Sequence, residues 1–354
     1  MIQLIRFNSD YLEGAHPRIM RRLMETNLEQ TPGYGEDDYC ERARALIRDL
    51  CDAPDADVHF LVGGTQTNLT LLSAAIKPWQ GVISADSGHI AVHETGAIEA
   101  TGHKVIALAG EKGKLDAGQV EEYCRLHFSD ESHEHMVMPG AVYISNPTEV
   151  GTLYSRHELM ALREVCDRWD LVLYLDGARL GYGLASPEND LDLKFIASVC
   201  DAFYIGGTKQ GLLFGEALVI CRDALKPDFR YAIKQKGGML AKGRLLGVQF
   251  EEALRDGLYM EMSRRAIDLA MKLRSAFSDM GFSFLVDSPT NQQFPVLPDR
   301  MLEELAEDYS WATIEKIDRD NTAVRFCTSW ATREVDVDRL IESLEELVRR
   351  DDRG

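Results

Sequence analysis

The sequence predicts an α/β fold built on a mostly parallel sheet. Short apolar runs alternate with helix-patterned segments, as βαβ units with right-handed crossovers require. Two of those runs close on polar motifs, Tyr174-Leu-Asp-Gly-Ala-Arg179 and Tyr204-Ile-Gly-Gly-Thr-Lys209. Continuous apolar runs of that length read as buried strands of a parallel sheet. A carboxylate and an amine at two such strand ends share the edge where open α/β sheets bind ligands.

Taken in order, the elements follow an N-terminal arm. Val58 to Val62 reads as a strand, Gly63-Gly64 turns the chain, and Leu69, Leu72 and Ile76 recur at helical spacing. Val82-Ile83, Val105 to Leu108, Val142 to Ile144, Leu171 to Leu175 and Ala202 to Ile205 read as further strands. Ser155 and Glu158 form a capping box, with Leu159, Leu162, Val165, Cys166 and Trp169 as the apolar stripe of the helix behind it. Glu216 to Cys221 is a last strand, and residues 240–280 read mainly as one long helical connection, with few breakers after Gly247 except Gly257. A smaller α+β unit follows, with strands near Phe282–Leu285, Gln293–Val296 and Thr322–Phe326. Its final helix carries Val337, Leu340, Ile341, Leu344, Leu347 and Val348 on one face, and the tail from Arg349 to Gly354 reads as frayed.

The 354 residues exceed the usual single-domain size, and the 45% hydrophobic and 27% charged fractions are those of a soluble globular chain. A formal net charge of −19 leaves no basic face for nucleic acid. The first residues lack the pattern of a signal peptide, and no apolar run reaches membrane-spanning length. Seven scattered cysteines without a Cys-x-x-Cys pair read as reduced thiols of a cytoplasmic protein.

A lysine past a buried strand, flanked by Gly206-Gly207, Thr208 and Gly211, can form a Schiff base with an aldehyde, and burial favours its neutral amine. A buried aspartate stays charged only if paired, and a protonated ring nitrogen is a suitable partner. Pyridoxal phosphate (PLP) needs both groups, which makes Asp176 and Lys209 its candidate ligands. The turn Gly63-Gly-Thr-Gln-Thr-Asn68 between strand and helix offers backbone amides to an anion, with Thr65 and Gln66 as side-chain donors; an ordinary turn has the same look. His89 and His93 stand four apart beside Glu94, without a third metal ligand, so no metal is assigned. Glu131 to His135 reads as a solvated loop.

With those residues in place, the chain resembles a fold-type I PLP enzyme of the L-threonine aldolase and β-eliminating lyase family. The likeness runs from Asn8-Ser-Asp10 through Tyr34-Gly35, Gly64-Thr-Gln66, His89, Asp176-Gly-Ala-Arg179 and Thr208-Lys209 to Val324-Arg325. It implies the aspartate aminotransferase architecture, PLP-dependent transferase-like, with a large mostly parallel seven-stranded sheet domain and a small C-terminal α+β domain. The expected division is an arm over 1–30 that reaches the active site, a PLP domain over 31–245, a connecting helix over 246–280 and a small domain over 281–354. The resemblance implies Lys209 as the Schiff-base lysine, Asp176 on the ring nitrogen and His89 on the ring face. Gly64, Thr65, Gln66, Arg179 and Thr208 would complete the cofactor site. Ser9, Tyr34, Arg179 and Arg325 would bind the substrate, the arginines by bidentate pairing with its carboxylate. It also implies a homodimer or homotetramer with active sites at the subunit interface.

Two departures stand out. Where such aldolases often place a second histidine, this chain has Thr148-Glu149, which makes Glu149 a candidate base beside His89. The familiar Gly-Gly-Met-Arg segment reads Gly237-Gly-Met-Leu240, leaving Lys236, Lys242 or Arg244 to reach a neighbouring subunit's phosphate. The implied reaction is retro-aldol cleavage of a β-hydroxy-α-amino acid to glycine and an aldehyde. β-Elimination, transamination and a non-catalytic PLP-binding role remain as alternatives.

Overall fold

The computed structural model describes residues 4–351. Thirteen strands are described: β1 (Ile5–Arg6), β2 (Asp57–Leu61), β3 (Gln80–Ala85), β4 (Val105–Leu108), β5 (Met138–Ser145), β6 (Val172–Asp176), β7 (Ala202–Gly206), β8 (Glu216–Ile220), β9 (Gln292–Gln293), β10 (Val296–Pro298), β11 (Tyr309–Ser310), β12 (Ala312–Lys316) and β13 (Asn321–Cys327). The α-helices are α1 (Pro17–Glu25), α2 (Asp38–Cys51), α3 (Gly64–Ala75), α4 (His89–Val92), α5 (Ala117–Ser129), α6 (Arg156–Trp169), α7 (Leu180–Ala185), α8 (Leu193–Val199), α9 (Phe229–Gln235), α10 (Arg244–Leu254), α11 (Leu258–Asp279), α12 (Asp299–Leu305) and α13 (Glu334–Asp351).

The main sheet has seven strands in the order β2-β8-β7-β6-β5-β3-β4. Pairing is parallel from β7 through β6, β5 and β3 to β4, while β8 runs antiparallel to both neighbours. The strands predicted for this sheet are all present. Side chains alternate by face, as the two-residue period of a strand demands. Val142, Leu173 and Phe203 enter one apolar cluster, and Tyr143, Tyr174 and Tyr204 enter the cluster on the other face. Those three tyrosines form a row across β5, β6 and β7, with ring centroids 5.9 and 6.5 Å apart in succession. The capping box closes as expected: the Ser155 hydroxyl accepts from Glu158 N–H, and the Glu158 carboxylate accepts from Ser155 N–H. Leu159, Leu162, Val165 and Cys166 are buried behind it, and Trp169 stacks on Phe128.

The connection predicted as one long helix is two. Asp256 and Gly257 take positive φ of 57° and 75° between α10 and α11, which ends one helix and restarts the next. In the smaller unit β10, β13 and β12 pair antiparallel, with β9 on β13. Residues 282–285 do not form the predicted strand; only Phe284 bridges to Pro295. β12 was missed because its Ala-Thr-Ile-Glu-Lys sequence is mostly exposed and polar. The arm is tied to this unit, since β1 pairs in parallel with β11 and Phe7 lies in its apolar core with Leu340 and Leu344. Predicted fraying from Arg349 is corrected in part, because α13 continues to Asp351; the remaining tail residues, like Met1 to Gln3, lie outside the described residues. Glu131 to His135 sits at the surface as predicted and includes one 3-10 turn.

Candidate active site

Parallel pairing brings the carboxyl ends of β5, β6 and β7 to one edge, and the antiparallel β8 delivers its first residue, Glu216, there too. The N-terminus of α3 closes the same space. The result is a cavity of about 320 Å³ lined by Gly63, Gly64, Thr65, His89, Ser145, Glu149, Asp176, Arg179, Thr208, Lys209 and Glu216, with Tyr11, Val62, Pro147, Ala178 and Tyr204 completing the wall.

Asp176 continues the tyrosine face of β6. Its Oδ2 accepts from Tyr143 Oη at 2.6 Å and Asn68 Nδ2 at 3.0 Å, and its Oδ1 accepts from Tyr204 Oη at 2.5 Å and Ala178 N at 3.0 Å. Burial alone raises a carboxyl pKa, but the two tyrosine hydroxyls hold this one below its ordinary value, with the His89 charge assisting. It is therefore an anion on the cavity wall. Gly177 follows for steric reasons beyond turn chemistry: a Cβ there would overlap the Tyr204 carbonyl oxygen.

Lys209 lies two residues beyond the glycine pair that ends β7. Burial and the nearby Arg179 cation push its pKa down, toward a neutral amine. Among the described residues its Nζ has no hydrogen-bond or ion-pair partner, and the Tyr11 ring lies 5.9 Å away. Thr208 Oγ1 contacts Glu216 Oε1 at 2.8 Å and accepts from Gly215 N at 3.0 Å. Burial pushes Glu216 up to about 8.

His89 opens α4. Its Nδ1 contacts Glu94 Oε1 at 2.7 Å, and Asn68 Nδ2 donates to the same oxygen at 2.7 Å. α4 ends at Val92, so His93 is not a helical partner of His89. Glu149 Oε1 accepts from His89 N at 2.9 Å and from Ser145 Oγ at 2.6 Å, and burial raises its pKa. Thr148, by contrast, turns to Thr152 and does not line the cavity.

Arg179 meets Asp10 through Nε at 2.6 Å and one terminal nitrogen at 3.1 Å, while Asn291 donates to Asp10 at 2.9 Å. Its fork is thus already engaged by a buried carboxylate. Arg325 donates to Asn8 O and to Gln292 Oε1, both at 3.1 Å, outside the cavity lining. The buried Arg325 Nε and Ser9 Oγ have no hydrogen-bond partner among the described residues. Gln66 is not in the lining either; its amide bridges Val62 N and Lys236 O. Tyr34 sits elsewhere, in a small pocket with Arg44 and Arg230. Arg244 uses both terminal nitrogens within the chain, donating to Thr26 O, Thr26 Oγ1 and Glu29 O, while Lys242 is exposed.

Asp10, Asn68, Glu94, Tyr143, Tyr204 and Glu216 were not singled out as site residues from sequence. The signal available was the equivalent placing of tyrosines in three successive strands, which pattern reading assigns to core.

An aldehyde cofactor bearing a ring nitrogen and a phosphate fits these residues. Lys209 offers an unpaired amine, Asp176 an anionic carboxylate on the same wall, and the first turn of α3 its unpaired N–H groups. Fold and site together define a fold-type I PLP enzyme. The chain belongs to the β-eliminating lyase family, whose profile matches residues 6–299. It is 30% identical to the low specificity L-threonine aldolase of Pseudomonas aeruginosa over 344 residues, 95% of each chain. Its structure is similar to that of Leishmania major threonine aldolase, with a TM-score of 0.94 and 46% identity over 97% of this chain and 99% of that one. An aspartate aminotransferase from Thermus thermophilus shares the fold at 14% identity, with a TM-score of 0.68 over 97% of this chain and 91% of that chain.

Proposed function

We propose that this protein is a PLP-dependent aldolase that cleaves a β-hydroxy-α-amino acid, threonine or a relative of it, into glycine and an aldehyde. The observation that carries the reading is the meeting of Lys209, Asp176 and His89 around one cavity in a chain similar end to end to threonine aldolases. When bound, PLP supplies the electron sink that allows the Cα–Cβ bond to break.

The residues divide the remaining work. Lys209, held toward its neutral form, is the amine that carries the cofactor, and Asp176 supplies the anion for its ring nitrogen. The α3 amides with Gly64, Thr65 and Thr208, all on the cavity wall, would hold its phosphate. Ser9 and Arg325 keep unpaired buried donors for a substrate carboxylate, whereas Arg179 must loosen from Asp10 to join them. Glu149, bordering the cavity beside His89, accepts the proton of the β-hydroxyl as the C–C bond opens, with His89 as the second candidate.

The arm at 1–30, the PLP domain at 31–245, the connection at 246–280 and the small domain at 281–354 remain our reading of the domain plan. We read the assembly as a homodimer or homotetramer, with Tyr34 and Lys242 reaching the neighbouring site; both are solvent-exposed. Among the described residues no helix is long and apolar enough to cross a membrane, and the seven cysteines are free thiols, which supports a cytoplasmic location. Product analysis tests the reaction: glycine with an aldehyde is expected, and ammonia with a keto acid would identify elimination instead.

A further inference from the structure

Glu216 is a buried acid on the cavity wall that the reaction above does not use. It is 4% exposed, at the start of β8, and its two oxygens are divided between two partners. Oε2 accepts from Gly207 N at 3.1 Å, and Oε1 lies 2.8 Å from Thr208 Oγ1. Thr208 Oγ1 accepts in addition from Gly215 N at 3.0 Å. A hydroxyl has one proton to give and two lone pairs to receive with. If Glu216 is ionised, Thr208 must donate its only proton to the carboxylate and offers none to the cavity. With Glu216 protonated, its O–H donates to Thr208, both lone pairs of Thr208 are filled, and the hydroxyl proton is free for a ligand.

We propose that Glu216 is held as the neutral acid in the holoenzyme and acts as a positioning residue: it donates to Thr208 Oγ1, so that the Thr208 hydroxyl donates to the cofactor phosphate. The inference rests on the reading that Thr208 faces that phosphate. Charge argues the same way, since an ionised Glu216, itself buried, would put a second anion beside a phosphate.

The groups facing Glu216 are Lys209 past β7, Asp176 at the end of β6, Tyr174 on β6, Tyr204 on β7 and Tyr259 on α11. The three tyrosines are held neutral by burial, and the Asp176 anion opposes ionisation of Glu216. The hydrogen bonds from Thr208 and Gly207 favour ionisation, as does Lys209, whose own charge burial weakens. Burial dominates and raises Glu216 to about 8, so the acid form prevails at neutral pH and is lost above that value.

Glu216→Gln mimics the acid: its amide nitrogen can donate to Thr208 and its oxygen can accept from Gly207. Two measurements on the full-length holoenzyme test the proposal. The infrared difference spectrum of wild type against Glu216→Gln at pH 7 should contain the carbonyl stretch of a protonated carboxylic acid. Release of PLP, followed by its absorbance, should quicken ~10-fold from pH 7 to pH 9 in wild type, the scale of one hydrogen bond to a charged group, and change much less in Glu216→Gln. Absence of the acid band, or the same pH dependence in both proteins, overturns the inference. Thr208→Val separates the underlying reading: it should release PLP faster at every pH, and unchanged release would show that Thr208 does not hold the phosphate at all.

Discussion

His89 Nδ1 lies 2.7 Å from Glu94 Oε1, and that contact orients the ring that borders the cavity. With Nδ1 donating to the carboxylate, Nε2 is left for proton exchange. Asn68 donates to Glu94 and to Asp176 alike, so His89 and the ring-nitrogen carboxylate belong to one network. Burial acts to lower the His89 pKa, but the Glu94 contact and the Asp176 charge raise it overall.

Glu94→Gln should therefore shift the His89 titration, followed by NMR of its ring, to lower pH, and slow cleavage roughly tenfold or more, the scale of one charge-assisted hydrogen bond. Because the folded pKa lies above the ordinary 6.5, the stability this contact gives is complete below that value and is lost as pH rises through the raised one. The stability deficit of the variant should accordingly be largest in mild acid. An unmoved His89 titration would refute the orienting role.

Asp176→Asn tests the electron sink. The carboxylate already accepts four hydrogen bonds, so an amide would turn its own donors toward the Tyr143, Tyr204, Asn68 or Ala178 donors. A stability loss of about 1–3 kcal/mol is expected from the unsatisfied pairs. Cleavage should fall by orders of magnitude, further than cofactor occupancy does. Normal turnover would mean that the ring nitrogen is held by another group.

The buried Asp10–Arg179 pair makes a stability prediction. Asp10→Ala leaves a guanidinium without its counter-charge and should cost about 3–5 kcal/mol in urea unfolding at neutral pH. Burial would raise the Asp10 pKa, but Arg179 and Lys209 hold it below the ordinary 3.8. Its stabilisation is thus present above 3.8 and lost as pH falls through the lower folded value, so the wild-type and variant curves should converge in strong acid. A deficit independent of pH would assign the loss to packing.

The sequence revealed the parallel strands because buried strands are apolar throughout, and it singled out Asp176 and Lys209 because one ends such a run and the other lies just past the glycines that end another. It did not reveal which polar groups would meet. Asn68 and Glu94 lie 26 residues apart and meet on one carboxylate oxygen, and Asp10 reaches Arg179 across 169 positions. Such contacts depend on crossovers and on the return of the arm, which no local pattern encodes. β12 was lost for the opposite reason, since an exposed edge strand lacks the apolar alternation that signals one.

Glu149 sets the last prediction, on substrate choice. It borders the cavity, and burial raises its pKa while Ser145 Oγ and His89 N hold Oε1 in place. As a base it works only when ionised, so cleavage should rise with pH through that raised value, and Glu149→Gln should remove this limb of the profile. Glycine binding should survive the substitution, since the shape of the side chain is kept. The Glu149 charge also repels acidic substrate side chains, so neutral and basic β-hydroxy amino acids should be the better substrates of the wild type. With glutamine in its place, the relative kcat/KM for an acidic substrate should improve by roughly tenfold, one close like-charge contact removed. If Glu149→Gln cleaves at the wild-type rate while His89→Asn does not, the proton is taken by His89, and Glu149 serves only to anchor the start of α4.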